Sequence, residues 1–189
     1  MTAGPESPVV HSHRGTRAIQ RLVEYAPSTG GLALWIRHRD DDRADAPAIA
    51  TDGRMLHYGE AFETYPLEEQ TGLVAHALLH TALCHPLRQT ALADRIGAVD
   101  DAVFNLCADA VVNAALSHLG WLRLPRGSVL LTELLLTTLH RHQDTDQALL
   151  EWDVEGLYGA IVEQPRGVTR GQGDPGASGQ AQTPAARRA

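Results

Sequence analysis

Val74-Ala75-His76-Ala77-Leu78-Leu79-His80-Thr81-Ala82-Leu83-Cys84-His85 is the stretch on which the reading of this chain turns. Pro66 precedes it, and Glu68 and Glu69 fall where a helix dipole favours acids, so the pattern predicts a helix from about Leu67 to about Cys84. Pro86 cannot continue that helix. His76 and His80, four residues apart, then share one helix face about a turn from each other, and both imidazoles can reach one tetrahedral ion. A catalytic zinc usually takes three protein ligands and keeps a fourth position open, so a third donor is needed. Two candidates exist. His85 lies just past the helix end, where the chain can fold back. Asp109 lies in Cys107-Ala108-Asp109-Ala110-Val111-Val112-Asn113, on the next predicted helix. A carboxylate buried there without a partner would be costly, so it should face a cation or hydrogen-bond donors. Asn113, one turn later, can orient Asp109 or a histidine. Packed, hydrogen-bonded histidine pairs share the same spacing, and Asp109 alone also reads as a structural acceptor. His57, His118, His140 and His142 have no partner pattern and read as surface or structural residues.

Outward from this helix, Ile19, Leu22 and Val23 repeat at helical spacing within a short amphipathic helix from Arg14 to Ala26, which Pro27-Ser28-Thr29-Gly30-Gly31 should stop. Leu32 to Ile36 reads as a strand and the charged run Arg37 to Arg43 as a loop. Pro47 to Thr51 and Met55 to Tyr58 read as two short strands about an Asp52-Gly53 turn. A second long helix is expected from Asp100 to Leu119, ended by Gly120. Leu124 to Gly127 reads as a turn, and Leu-rich Leu130 to His140 as a candidate helix. A last helix, Asp153 to Val162, offers Leu157, Ile161 and Trp152 as core residues. Residues 1–13 are polar and expected to be disordered, and residues 14–164 form the domain. Residues 165–189 are rich in Gly, Pro, Ala and Gln and read as a disordered tail or linker, because they cannot bury enough surface to offset their ordering entropy.

Composition narrows the function classes. With 189 residues, 43% of them hydrophobic, the chain can build one domain with a real core. No apolar run approaches the roughly 20 residues of a membrane-spanning helix, and the N-terminus has no secretory pattern, so a cytoplasmic protein is expected. The net charge of −7 and the single short cluster Arg14, Arg17 and Arg21, read as a solvated helix face, give no nucleic-acid footprint. Two cysteines, Cys84 and Cys107, make no disulfide framework and read as buried free thiols, with a metal-ligand role for Cys84, close to the histidines, the less favoured alternative.

Several ordered blocks also carry a resemblance: ATDGRMLHYGEAF, LVAHALLHTALCHPLR, FNLCADAVVNAAL, LGWLRLP and WDVEGLYGAIVE, spread over Ala46 to Glu163. In these the chain resembles the bacterial putative metallopeptidase domain that often precedes a von Willebrand factor A-like domain. The resemblance implies an α+β, zincin-like fold, with a small β-sheet packed on an active-site helix, further helices and a disordered C-terminal tail. It also implies Zn2+ as cofactor and hydrolysis of peptide bonds by a water at the zinc. The partners it implies are a peptide or protein substrate and a von Willebrand factor A-like domain on another chain. Carried over residue by residue, the zinc histidines of the family's HExxH motif are His76 and His80, its later histidine is His85 and its helix acid is Asp109. Asp109 is favoured as third ligand, with His85 the competing assignment.

The departure is Ala77, at the catalytic position where the family has Glu. That Glu takes a proton from the water and passes it to the leaving amine; alanine can do neither, and Glu68 and Glu69 lie at least two turns back. The chain as written should therefore be inactive, either as an engineered inactivation or as a natural pseudoenzyme. Three readings follow: a zinc peptidase or its inactivated form, a zinc-binding module that holds a peptide or partner protein without cutting it, and a metal-free α+β scaffold. The edge-strand rule of peptide binding suggests Met55 to Tyr58 as the strand that pairs with an extended substrate.

Overall fold

The long helix appears as α3, Leu67–Ala82, in a computed structural model that describes residues 13–125 and 127–163. The expected disorder at the two termini lies outside the described residues, His13 apart. Val74, Ala75, Ala77 and Leu78 of α3 are buried. They pack with Leu56 and Tyr58 of a small sheet and with Leu22 of the N-terminal helix α1, Thr16–Tyr25. The sheet has three strands, β1 (Arg37–Asp41), β2 (Ile49–Thr51) and β3 (Met55–Gly59), in the order β1-β3-β2. β3 is central, parallel to β1 with Arg37 opposite Met55, and antiparallel to β2 with Thr51 opposite Leu56. The β2–β3 turn holds its shape through Asp52, whose Oδ1 accepts from the backbone N–H of Arg54 and of Met55, both at 2.8 Å.

A second core lies on the other side of the helix α5, Asp101–Ser117. Asp100 caps α5 by accepting from the backbone of Ala102 and Val103. Phe104, Cys107 and Ala108 of α5 pack against α6 (Leu131–Leu139), α7 (Thr145–Glu151) and α8 (Val154–Val162), while Val112 and Leu116 belong to the first core. α5 is thus shared by both cores, and this fixes the faces that α3 and α5 present to each other. The fold is α+β: eight helices and one three-stranded sheet among the described residues. None of the described helices is long and apolar enough to cross a membrane.

Several expectations are corrected. Pro27 opens a short helix, α2 (Pro27–Ala33), instead of ending helical structure, because the first turn of a helix needs no N–H from proline. Gly30 lets α2 pack closely on α1, since a Cβ there would lie 2.5 Å from the Val23 Cα. The expected strand at Leu32 to Ile36 is therefore the end of α2 and a connection in which Leu34 and Trp35 are exposed. The charged run read as a loop holds β1. It lies at a sheet edge, where charged side chains are normal. His38 turns inward, its Nε2 donating to the Ala33 carbonyl at 2.7 Å and its Nδ1 lying 2.8 Å from the Tyr58 hydroxyl. Arg14 is not on a solvated helix face. It pairs with Asp42 and Glu63 and donates to the Tyr58 carbonyl. Cys84 is exposed, and only Cys107 is buried. Besides α2, two further helices lie outside the sequence expectations, α7 and α4 (His85–Ile96); Pro86, which cannot continue α3, sits in the first turn of α4. Finally, β3 is flanked by strands on both sides, so Met55 to Tyr58 has no free edge to offer an extended peptide.

Candidate metal centre

The site forms where α3 crosses α5. The buried faces of both helices are fixed by the cores, which leaves His76 and His80 of α3 opposite Asp109 and Asn113 of α5. The pairs repeat the same i, i+4 spacing on each helix. His80 Nε2 lies 2.9 Å from His76 Nε2, and Asp109 Oδ1 lies 3.2 Å from His76 Nε2 and 3.1 Å from His80 Nε2. The three atoms form a nearly equilateral triangle. Donors about 2.0–2.1 Å from a tetrahedral zinc lie roughly 3.3 Å apart. The observed edges are slightly shorter, so a small outward movement of the side chains would accommodate an ion. His76, His80 and Asp109 are the one group of this kind among the described residues.

Hydrogen bonding explains why the donors face inward. Asn113 is buried, and its Nδ2 donates to the Val129 carbonyl at 2.9 Å, which turns its Oδ1 toward His76. His76 Nδ1 lies 2.9 Å from that oxygen and must be the donor, because an amide oxygen can only accept. A neutral His76 then carries no hydrogen on Nε2, and its lone pair points into the triangle. Asp109 contributes a carboxylate there. Burial raises the pKa of this carboxyl; when the two rings carry protons toward it, their hydrogen bonds and charge outweigh that and hold it well below the usual carboxylate range, and in the neutral tautomer with a bare His76 Nε2 a cation would take over that role. Two electron-rich atoms facing each other at this distance suit a cation between them.

The cluster is not sealed: the Asp109 side chain is 43% exposed, against 23% for His76 and 14% for His80. The donor group is therefore partly open to solvent on the Asp109 side. Ala77, the residue after His76, is 5% exposed and packs with the first core. Thr81, one turn on, bonds its hydroxyl to the Ala77 carbonyl and meets the Thr51 hydroxyl of β2 at 3.0 Å. The strand beside the site helix is therefore β2, whose second edge pairs with no other described strand. Glu68 is held away, paired with Arg123 at 3.2 Å.

His85 is brought to the cluster but not into the triangle. Its Nδ1 lies 3.1 Å from His80 Nδ1, the ring nitrogen that faces away from the other donors. Burial, then His80 and Arg88 nearby, depress its pKa to about 4. Sequence reasoning missed the Arg88–Glu155 ion pair that ties α4 to α8 beside His85; no spacing rule links residues that far apart. Cys84 takes no part in the donor group.

A family model described as "Putative metallopeptidase domain" matches residues 10–189, a wider span than the blocks quoted above. No curated protein and no solved structure matches the chain.

Proposed function

The chain belongs to this Putative metallopeptidase domain family, and on that premise we propose that it is a zinc-binding, metallopeptidase-like module of zincin type whose ion sits on His76, His80 and Asp109. The observation that carries the reading is the inward lone pair of His76, fixed by Asn113 and aimed at a carboxylate 3.2 Å away. Two imidazoles and one carboxylate suit zinc among the common divalent metals. When bound, zinc would supply Lewis acidity toward a peptide carbonyl and activate water for attack.

The chain's own residues supply the rest. Asn113 orients His76, and Asp109 neutralises part of the ion's charge while leaving the exposed side open. The free edge of β2, held against α3 through Thr51 and Thr81, supports docking of an extended peptide beside the site. What is absent is a base. Ala77 offers a methyl group, and the one carboxylate bonded to the site histidines among the described residues is Asp109 itself. Loss of a general base typically costs ~10²–10⁴ in rate. The protein as written therefore binds a peptide or protein partner far better than it cuts one. The free thiols Cys84 and Cys107 fit a reducing compartment, and we place the protein in the cytoplasm on that ground. A von Willebrand factor A-like partner on another chain remains the partner that the family resemblance suggests.

The test combines metal content with restoration of the base. Protein purified without chelator and supplied with zinc should hold one zinc per chain and show negligible peptide hydrolysis. Ala77→Glu, checked by circular dichroism because position 77 is buried, should gain zinc-dependent cleavage. Less than stoichiometric zinc in the folded protein would overturn the metal reading. Folded, zinc-loaded Ala77→Glu that cuts nothing in a broad peptide panel would overturn the peptidase ancestry and leave the binding module.

A further inference from the structure

We infer that His85 is a positioning residue for this site and not a ligand: its Nδ1 accepts the Nδ1 proton of His80 and so frees the His80 Nε2 lone pair for the ion. The inference rests on the zinc reading above and assigns a role that the two-histidine, one-acid site does not by itself contain.

Local geometry brings His85 to this position. Cys84 has φ 55°, in the left-handed region, and this single residue reverses the chain between α3 and α4. The His85 ring then lies edge-on to His80, with ring centres 4.8 Å apart and planes at 82°. His85 is 2% exposed, and its Nε2 has no hydrogen-bond partner among the described residues. A side chain needed only for packing would be better apolar, because an unpaired buried nitrogen is a cost. The contact with His80 is the polar interaction that offsets it.

Proton placement shows what the contact does. One proton lies between the two Nδ1 atoms. If His85 carries it, a neutral His80 has its own proton on Nε2, which then points into the triangle toward the His76 lone pair. That arrangement satisfies an empty site and cannot bind a metal. If His80 carries it, His80 Nε2 is bare, and the His85 proton must sit on Nε2. Binding a cation therefore requires the second arrangement, and His85 is the acceptor that makes it available. Asn113 fixes the tautomer of His76 unconditionally, whereas His85 allows His80 either tautomer. Histidine ligands generally need such an outer partner, and its loss typically weakens metal binding ~10–100-fold.

The test reads ring nitrogens directly. Protein labelled with 15N-histidine is examined by long-range proton–nitrogen correlation before and after one equivalent of zinc. Zinc should leave His80 protonated on Nδ1 and coordinated through Nε2. His85 should be protonated on Nε2 and uncoordinated. In parallel, His85→Leu should bind zinc roughly 10–100-fold more weakly, with the cobalt(II) visible band unchanged in intensity at saturation. His85→Asn, which can place an acceptor near the same point, should recover most of the affinity. A coordinated His85 nitrogen, or wild-type affinity in folded His85→Leu, would overturn this inference alone. Failure of the wild-type protein to bind zinc would overturn it together with the reading it rests on. If His85→Leu does not fold, the nitrogen assignments on the unaltered protein decide.

Discussion

Asn113 Oδ1 stands 2.9 Å from His76 Nδ1 while Asn113 Nδ2 donates to the Val129 carbonyl, so one buried amide sets both the orientation and the tautomer of the first site histidine. Replacing Asn113 by Leu removes both bonds. Zinc affinity should fall about 10–100-fold, measured by competition with a chromophoric chelator. Stability of the metal-free protein should fall by roughly 1–3 kcal/mol, because the Val129 carbonyl and His76 lose partners. Unchanged affinity would mean that His76 is held by packing alone.

Acid should weaken the metal-free fold through its buried histidines. His85 has a folded pKa of about 4, depressed chiefly by burial, against an ordinary value of 6.5. Because the folded value is the lower one, this contribution to stability is complete above pH 6.5 and is lost as pH falls toward 4. His13, also depressed chiefly by burial, acts in the same direction. Urea melts at pH 7 and pH 4.5 should differ by up to about 3 kcal/mol, and His85→Phe should shrink the difference. An equal pH dependence in that variant would remove His85 from the explanation.

The two thiols should react at very different rates. Cys84 is exposed; Cys107 is buried, and burial pushes its pKa up to about 12. One thiol per native chain should react promptly with a disulfide reagent at pH 8, and the second only on unfolding. Peptide mapping should place the fast label on Cys84. Two fast thiols would contradict the packing of α5 against α6–α8.

Gly72 measures the seating of the site helix. A Cβ there would lie 2.1 Å from the Arg123 carbonyl oxygen, so Gly72→Ala must displace α3 or the segment after α5. Overpacking of this kind costs about 1–3 kcal/mol, readable in a denaturant melt. A stabilised Gly72→Ala would show that the contact is looser than described.

Much of this was legible in the sequence for a physical reason. α3 and α5 carry strong start signals and long apolar runs, so their existence and the shared faces of His76 with His80 and of Asp109 with Asn113 follow from spacing. The β2–β3 hairpin was legible from Asp52-Gly53. What failed depended on tertiary context. Arg37 to Asp41 form a strand because they pair in parallel with β3, while Arg14, Ala33 and Tyr58 hold the Asp40 and His38 side chains, and no local pattern announces those partners. Pro27 and Pro86 each follow the end of one helix and open the next, because the first turn of a helix needs no N–H from proline, so a proline alone carries both meanings. The position of His85 against the outer nitrogen of His80 depended on one left-handed residue, Cys84, which side-chain type does not reveal.

Zinc K-edge X-ray absorption on protein loaded with one equivalent of zinc tests the three-donor triangle most directly. It should show a four-coordinate shell of nitrogen and oxygen near 2.0 Å with the multiple-scattering pattern of two imidazoles, and Asp109→Ala should remove one light donor. A sulfur shell near 2.3 Å, or a third imidazole in place of the carboxylate, would contradict the site described here.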